Sequence, residues 1–481
     1  MSSDQQLPVI DRGNRGFSES EIARAGIPFG RDCSQTCRLI DLRMMPLRYR
    51  DPSLCATGSA LGVPGNCDTL RSCSILGKYS TSHHKAIMSQ REVFIVGAAR
   101  TAIGSFGGSL KDVPLSTLAT TVVREAIGRG GAAPDRIGHV VFGNVIPTEP
   151  RDAYLSRVAA MEAGIPKETP AFNVNRLCGS GLQAIISAAQ TIRLGETDMA
   201  VGGGAESMSR GPYIVSTARW GARMGDAQML DYMVGILHDP FNVIHMGVTA
   251  ENVAVRYGIT REIQDGLALE SQQRAARAIA EGYFKSQIVP VDVATRTGTV
   301  RFDTDENVRP DVTAERLAKM KPVFKKDGMV TPGNASSVND GAAAVVLASA
   351  EAVRAEGLKP LARLVAYAHA GVDPAYMGIG PVPATWLALR RAGLTVDDMD
   401  VIESNEAFAA QACAVARELN FDPRKVNPNG SGISLGHPVG ATGTIIATKA
   451  LYELQRIRGR YALATMCIGG GQGIAAVFER A

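Results

Sequence analysis

The chain has 481 residues, of which 45% are hydrophobic and 20% charged, so it holds enough apolar material for a large core of several domains. With 51 basic and 47 acidic residues the formal charge is +4, and this balance favours neither nucleic acid nor a membrane surface as a partner. No apolar run approaches the roughly 18 residues that a membrane-spanning helix needs.

Residues 1–87 differ from the rest of the chain. They show no helix or strand periodicity and hold five of the eight cysteines. Three interpretations compete for this extension. A transit peptide fits its arginines but not its length or its acidic residues, and a metal module fits none of the tight zinc spacings. We favour the third interpretation, in which Met88 is the natural start and the segment before it is upstream translation without stable order.

From Met88 onward, short apolar runs that end in small residues alternate with amphipathic stretches. Strands are predicted to begin at Val93, His139 and Met199, and helices are predicted over 115–128 and 262–282. This alternation predicts an α/β fold. The polar stretch at about 208–338, rich in methionine and arginine, interrupts the rhythm and predicts a loop domain inserted into the first half.

A weak internal repeat relates the two parts of this α/β region. The first part, 90–350, contains "VNRLCGSG", a helix of small residues and "DMAVGGGAES". The second part, 358–481, contains "VNPNGSGISLGHPVGATG", another such helix and "YALATMCIGGGQG". Two similar halves would bring their glycine-rich turns together around a pseudo-twofold axis, so we expect one site that draws residues from both.

Cys178 lies within "NRLCGSGLQA", where a glycine-rich turn opens a predicted helix. A free cysteine is more often a small buried hydrophobe. Here, however, the unsatisfied N–H groups and the positive end of the helix dipole favour the thiolate, which is the nucleophilic form. The neighbouring glycines leave room for a substrate beside the backbone. We therefore predict that Cys178 is a nucleophile.

Three further side chains are candidates for the same site. His437 lies among glycines in "GISLGHPVGATG", and we predict that it takes the proton of Cys178. Cys467 ends an apolar strand in "TMCIGGGQG" and is either a core residue or a second acid/base. Asn405 in "SNEAFAAQ" is either a helix N-cap or a group that orients water or a carbonyl oxygen.

Nucleotide and metal sites are not predicted. The runs "GGGAES" and "GGGQG" match neither the dinucleotide-binding fingerprint nor the P-loop. No cluster of His, Cys and acidic residues from Met88 on has metal-ligand spacing. The remaining histidines without a glycine-rich context are interpreted as structural, namely His139, His238 and His369.

Seven motifs together resemble the thiolase family, and within it the biosynthetic type, the acetyl-CoA acetyltransferases and bacterial β-ketothiolases. The likeness runs in order from about Arg91 to Ala481. The motifs are "NRLCGSGLQA", "GGGAESMS", "HMGVTAEN", "GNASSVNDGAA", "NEAFAAQ", "NPNGSGISLGHPVGATG" and "CIGGGQG".

The resemblance implies a duplicated α/β fold with five layers, αβαβα, and a loop domain inserted in the first half. It implies acetyl-CoA, a short acyl-CoA and CoA as partners, with no bound cofactor and no metal. Family members are commonly tetramers, and "RWGARMGD" resembles the loop used for that assembly. The resemblance thus implies a homotetramer. Together with the few cysteines after Met88, it also implies a cytoplasmic location.

The resemblance also implies a ping-pong Claisen condensation. Cys178, activated by His437, would attack the thioester of an acyl-CoA and release CoA. Cys467 would then remove the α-proton of acetyl-CoA, and the carbanion would attack the acyl-enzyme to give a 3-oxoacyl-CoA. Oxyanion sites are implied at His437 with a water held by Asn405, and at the backbone N–H groups of Cys178 and Gly469.

Four more positions match residues that surround CoA in the family. His245 and Ser336 are implied beside the pantetheine, and Met377 and Phe408 in the acyl pocket. Two alternatives remain beside this hypothesis. A 3-oxoacyl synthase typically carries Cys-His-His, but the third position here is Cys467. A CoA- or lipid-binding protein without catalysis would be expected to lack one of the reactive groups.

Overall fold

A computed structural model of the chain describes residues 91–481. The extension that the sequence predicts at 1–87 lies outside the described residues. Within the described part, no helix combines the length and the apolar character needed to cross a membrane.

The first half alternates strands and helices as its hydrophobic pattern predicts. Helix α1 is amphipathic and buries one face, whereas β5 is buried at every residue. The elements are β1 (Val93–Arg100), β2 (Gly104–Ser105), α1 (Leu115–Gly130), β3 (His139–Gly143), α2 (Leu155–Glu162), β4 (Ala171–Val174), α3 (Ser180–Arg193) and β5 (Met199–Ser207).

The chain then leaves the main sheet for an insertion built from short elements. Three two-stranded sheets form there, pairing β6 with β7, β8 with β9 and β10 with β11. The elements are β6 (Tyr213–Ile214), β7 (Leu230–Asp231), α4 (Tyr232–Gly235), β8 (His238–Asp239), β9 (Ile244–His245), α5 (Met246–Tyr257), α6 (Arg261–Ala280), β10 (Val291–Thr295), β11 (Gly298–Phe302) and α7 (Ala314–Ala318).

A fully buried strand, β12 (Asn339–Ser349), returns the chain to the first half, and α8 (Ala350–Glu356) follows it. The second half then repeats the alternation. Its elements are β13 (Ala362–Gly371), α9 (Pro381–Ala392), β14 (Val401–Ser404), α10 (Ala409–Glu418), α11 (Gly432–Leu435), α12 (Val439–Ile457), β15 (Tyr461–Ile468) and β16 (Gln472–Arg480).

The main sheet has ten strands, and its order shows the internal repeat. From edge to edge the order is β14-β15-β16-β13-β1-β12-β5-β3-β4, with β2 paired to β12. Reading outward from the β1–β13 pair, the first half runs β1-β12-β5-β3 and the second runs β13-β16-β15-β14. The two halves are therefore equivalent in order, and the duplication predicted from the sequence is confirmed.

Helices α3 and α12 form the centre of the molecule. They are the equivalent helices of the two halves, they pack on each other, and between them they contact strands of both sheet halves. Helices α1 and α2 cover the outer face of the first half, while α9 covers that of the second. The layers are thus helix, sheet, helix pair, sheet and helix, which is the predicted five-layer arrangement.

Candidate active site

Cys178, His437 and Cys467 line one cavity of about 390 Å³. Cys178 lies in the turn before α3, His437 in the loop before α12, and Cys467 one residue before the end of β15. Cys178 and His437 occupy equivalent positions in the two halves, because each lies two residues before a central helix. The repeat therefore brings the first thiol and the histidine together, as the sequence analysis expected.

The two central helices can approach closely because glycines lie in their first turns. A methyl group added at Gly443 would lie 2.2 Å from the backbone nitrogen of Leu182, and one added at Gly181 would lie 2.7 Å from that of Thr444. The Thr444 hydroxyl donates a hydrogen bond of 2.9 Å to the Gly181 carbonyl oxygen. This contact sets the spacing between the turns that carry Cys178 and His437.

The turn that presents Cys178 is held by short-range hydrogen bonds. The Ser180 hydroxyl donates to the Leu177 carbonyl oxygen at 2.7 Å and accepts from the Arg176 N–H at 2.8 Å. The Asn175 side-chain oxygen accepts from the Leu177 N–H at 2.9 Å. Leu177 itself has φ +45°, a left-handed conformation that non-glycine residues rarely adopt. The nucleophile thus follows a strained residue.

Burial raises the pKa of the Cys178 thiol to about 11, even though the backbone N–H of Gly469 favours the thiolate and lowers it. A helix end beside the thiol favours the thiolate. In the structure, however, α3 begins at Ser180, two residues further on, and the cavity wall beside the sulfur is apolar. Removal of the Cys178 thiol from water raises its pKa more than the helix dipole lowers it. In the resting protein Cys178 is therefore a thiol that needs a base.

His437 is placed and kept neutral by its surroundings. Its backbone N–H donates to the Asn339 side-chain oxygen at 2.8 Å, and its Nδ1 lies 2.6 Å from the Thr442 hydroxyl oxygen. Its Nε2 has no hydrogen-bond partner among residues 91–481. Burial lowers the pKa of the imidazole to about 4. A neutral ring with one unengaged nitrogen at the cavity is suited to accept a proton.

Cys467 lies in the hairpin between β15 and β16, where it pairs with Gly473. Burial raises the pKa of its thiol, and the nearby Cys178 adds to that effect. The two thiols are therefore close enough to interact electrically. Gly469, which follows Cys467 by two residues, also lines the cavity, and its backbone N–H lowers the pKa of the Cys178 thiol.

The four residues predicted beside CoA line the same cavity: His245, Ser336, Met377 and Phe408. The His245 ring stacks on Phe324 with a centroid distance of 4.7 Å, and burial lowers the pKa of this histidine. Phe324 in turn meets Phe408 edge-to-face at 6.1 Å. The backbone N–H of Ser336 donates to the Ala407 carbonyl oxygen at 3.0 Å, which joins the insertion to the second half.

Asn405 is not among the residues that line this cavity. It is fully buried, and neither atom of its side-chain amide has a hydrogen-bond partner among the described residues. It borders a second cavity of about 10 Å³, lined also by Ser431 and Thr442. This space and the unpartnered amide fit one water molecule. The role implied for Asn405, holding a water, stays a prediction.

Sequence reasoning missed Glu206, the acidic residue of "GGGAES". Its buried carboxyl accepts a side-chain hydrogen bond from Asn144 and backbone hydrogen bonds from the N–H groups of Val145, Ile146 and Gly440. Gly440 lies in the first turn of α12, so Glu206 links the first half to the helix that follows His437. Burial raises the pKa of this carboxyl to about 8. An acidic residue two positions after three glycines, near a strand end, was the available signal.

Among residues 91–481, no group of three or more His, Cys, Asp or Glu residues is arranged to hold a metal ion. The three cysteines of this part are free thiols: Cys178, Cys413 and Cys467. Two thiols and a neutral imidazole around one cavity are the groups that an acyltransferase working through a cysteine thioester would need.

Comparison with known proteins agrees with this class. The sequence matches the family "Thiolase, N-terminal domain" over residues 93–351 and "Thiolase, C-terminal domain" over residues 358–480. It is 66% identical over 391 residues to "Beta-ketothiolase BktB" of Cupriavidus necator, covering 81% of this chain and 99% of that protein. It is 50% identical over 394 residues to an acetyl-CoA acetyltransferase of Syntrophomonas wolfei, with coverages of 81% and 99%.

Solved structures show the same architecture. The crystal structure of human mitochondrial 3-ketoacyl-CoA thiolase superposes with a TM-score of 0.80 at 46% identity, covering 82% of this chain and all of that one. Acetyl-CoA acetyltransferase from Bacillus anthracis gives a TM-score of 0.80 at 46% identity, with coverages of 82% and 99%. The chain belongs to the thiolase family. The predicted family, fold and acyltransferase class are thereby confirmed.

Proposed function

We propose that this protein is a β-ketothiolase, an acetyl-CoA C-acyltransferase. It joins acetyl-CoA to acetyl-CoA or another short acyl-CoA, releases CoA and forms a 3-oxoacyl-CoA, and it also runs the reverse thiolysis. The observation that carries this proposal is the meeting of Cys178, His437 and Cys467 at one cavity. The name of the Cupriavidus necator relative supports it.

In the first half-reaction, Nε2 of His437 takes the proton of Cys178 while the sulfur attacks the thioester carbonyl of the acyl-CoA. The carbon–sulfur bond to CoA breaks, and the departing CoA thiolate takes the proton from His437. Acyl-Cys178 and free CoA result. The backbone N–H groups of Cys178 and Gly469 are suited to bind the oxyanion, because both lower the pKa of the Cys178 thiol and so favour negative charge at this place.

In the second half-reaction, Cys467 passes its proton to His437 and, as a thiolate, removes the α-proton of acetyl-CoA. The carbanion attacks the carbonyl carbon of acyl-Cys178, and the bond to the Cys178 sulfur breaks. That sulfur recovers a proton from His437, so all three groups return to their resting states. Protonated His437, with a water beside Asn405, would stabilise the enolate oxygen.

The acyl group is expected to be short. Met377 and Phe408 are buried and belong to the apolar wall that also contains Cys467. A cavity of about 390 Å³ must hold the end of the pantetheine arm as well as the acyl group, which leaves little space for a long chain. No bound cofactor is needed, since CoA is a substrate and product. The free thiols of the described part support a reducing, cytoplasmic location.

We also propose a homotetramer. The hairpin that connects β6 and β7 carries the loop "RWGARMGD" and exposes large apolar side chains to solvent. Trp220 is 84% exposed and Met224 is 97% exposed in the single chain. Large apolar side chains exposed in this way are typical of a protein–protein contact. From the family resemblance, we propose that this loop contacts the same loop of other subunits.

The test of the activity is thiolysis of acetoacetyl-CoA. Addition of the substrate and CoA should remove the enolate absorbance and yield acetyl-CoA. Rates with 3-ketovaleryl-CoA and longer 3-ketoacyl-CoA substrates then give the chain-length preference. An unchanged enolate signal with the wild-type protein would overturn the proposal.

The Cys178→Ala variant should lose thiolysis and covalent acyl labelling completely, since no other group can form the thioester intermediate. Cys413→Ala is the matched control, because this free cysteine borders a different cavity. The control should keep the wild-type rate and labelling. Stable labelling of another cysteine in Cys178→Ala, seen by peptide mass spectrometry, would contradict the assignment.

A further inference from the structure

We propose that Thr442 is a positioning residue that selects the tautomer and the ring orientation of His437, leaving Nε2 as a lone pair at the cavity. The catalytic consequence of this proposal rests on the proposed function, whereas the tautomer does not. Nothing in the motifs of the sequence assigns a role to this threonine, which follows the histidine by five residues in "GHPVGATG".

The direction of two hydrogen bonds carries the inference. The Thr442 hydroxyl oxygen lies 2.9 Å from the Pro438 carbonyl oxygen and 2.6 Å from Nδ1 of His437. A hydroxyl has one hydrogen, and a carbonyl oxygen can only accept, so we assign that hydrogen to the contact with Pro438. The hydroxyl lone pairs then face Nδ1, which must carry the hydrogen of the ring.

Local helix geometry explains why the hydroxyl points this way. Thr442 lies in the first turn of α12, four residues after Pro438, and a helical threonine commonly bonds the carbonyl four residues back. Its branched β-carbon restricts rotation, and both Thr442 and His437 are buried. The donor direction is thus fixed by the helix before the histidine is considered.

The consequence for Nε2 follows from the chemistry of imidazole. A neutral imidazole carries one hydrogen, so with Nδ1–H the other nitrogen is the acceptor. Nε2 has no hydrogen-bond partner among residues 91–481, and His437 lines the cavity that contains Cys178. The nitrogen left free is therefore the one that can accept the thiol proton.

The partner of the ring is a hydroxyl rather than a carboxylate. The buried carboxylate of Glu206 bonds Gly440 on the same helix and does not bond the ring. An anionic partner would stabilise the imidazolium, and the histidine would then return its proton less readily. A neutral hydroxyl orients the ring and leaves it a weak base that can pass the proton on to the departing CoA thiolate.

Three variants separate this role from packing. Thr442→Val keeps the shape and removes the hydroxyl, whereas Thr442→Ser keeps the hydroxyl. Thr448→Val is the matched control, because Thr448 is fully buried on the same helix and its hydroxyl has no partner among the described residues. We expect kcat to fall about 10- to 100-fold in Thr442→Val with little change in KM, and to stay near the wild-type value in the other two.

A second measurement reads the tautomer without any turnover. The protein has seven histidines, so ¹⁵N-histidine labelling gives a short set of ring signals, and His437→Gln identifies those of His437. We expect a protonated Nδ1 and an unprotonated Nε2 in the wild type and in Thr442→Ser, and a mixture in Thr442→Val. If Thr442→Val does not fold, the ¹⁵N signals of the wild type and of Thr442→Ser still show which ring nitrogen of His437 carries the hydrogen.

The proposal is overturned if the wild-type His437 carries its hydrogen on Nε2, if Thr442→Val keeps wild-type kcat, or if serine fails to restore it. A wild-type protein without thiolysis would refute the proposed function instead. In that case the ¹⁵N signals would still support or overturn the tautomer assignment.

Discussion

At the scale of single residues, burial decides the resting state of the site. The Cys178 and Cys467 thiols and the His437 imidazole all have pKa values shifted toward their neutral forms, and loss of water is the largest cause for each. The two thiols and the imidazole are therefore uncharged before the substrate binds. The reaction must therefore create its thiolates by proton transfer within the cavity, where an apolar wall strengthens every new electrostatic contact.

This state predicts an unusual pH dependence. Because the pKa of His437 is lowered to about 4, the base stays unprotonated far into the acid range. We expect kcat/KM for thiolysis to change little between about pH 7 and about pH 5.5. The measurement is product formation by chromatography, because the absorbance of the substrate enolate itself varies with pH. A decline with a midpoint near 6.5 would show that the histidine has an ordinary pKa.

The lowered pKa of His437 also makes the free energy of unfolding depend on pH. Between about pH 6.5 and about pH 4, His437 is protonated in the unfolded chain but neutral in the folded protein. The contribution of His437 to stability is therefore complete above the unfolded pKa and declines as the pH falls through this window. Activity assays at low pH need a parallel measurement of folding by circular dichroism, so that unfolding is not mistaken for protonation of the base.

At the scale of elements, the contact between α3 and α12 sets the distance between thiol and base. Gly443→Ala would place a methyl group 2.2 Å from the Leu182 backbone nitrogen, so the helices must separate. We expect a loss of about 1–3 kcal/mol in the free energy of unfolding, measured in urea. We also expect a large drop in kcat, because Cys178 and His437 lie directly before the two helices.

Gly128→Ala is the matched control for this change. Gly128 lies near the end of α1, and a methyl group added there would have no other heavy atom within 4 Å. Alanine stabilises an exposed helix by up to about 1 kcal/mol relative to glycine, so this variant should be at least as stable as the wild type and fully active. Equal stability and activity of the two variants would contradict the close contact.

At the scale of the whole molecule, the exposed hairpin predicts assembly. Replacing Trp220 and Met224 together by serine should remove apolar contact area and reduce the proposed tetramer to a smaller species in light scattering after gel filtration. Val300→Ser is the control, since Val300 is 55% exposed on a different hairpin, β10–β11. An unchanged mass for the double variant would show that this hairpin does not hold the subunits together.

The sequence by itself determined the alternation of elements, the duplication and the identity of the reactive groups. These follow from local patterns: apolar periodicity, glycine-rich turns that recur at equivalent places, and reactive side chains within those turns. Cys178, His437 and Cys467 could be named because each lies in a motif with little side-chain core around it. Thr442 could not, since it resembles an ordinary helix residue in the printed chain, and the only signal for Glu206 was its place after a run of glycines.

Only the tertiary structure decided where each group lies and which form it takes. Asn405 borders a separate small cavity and not the wall shared by the two thiols and His437. Burial raises the pKa of the Cys178 thiol, against the effect that the helix end alone would have. The physical reason is the same for both results: desolvation and packing depend on residues that are hundreds of positions apart in the chain and meet only when the two halves fold together.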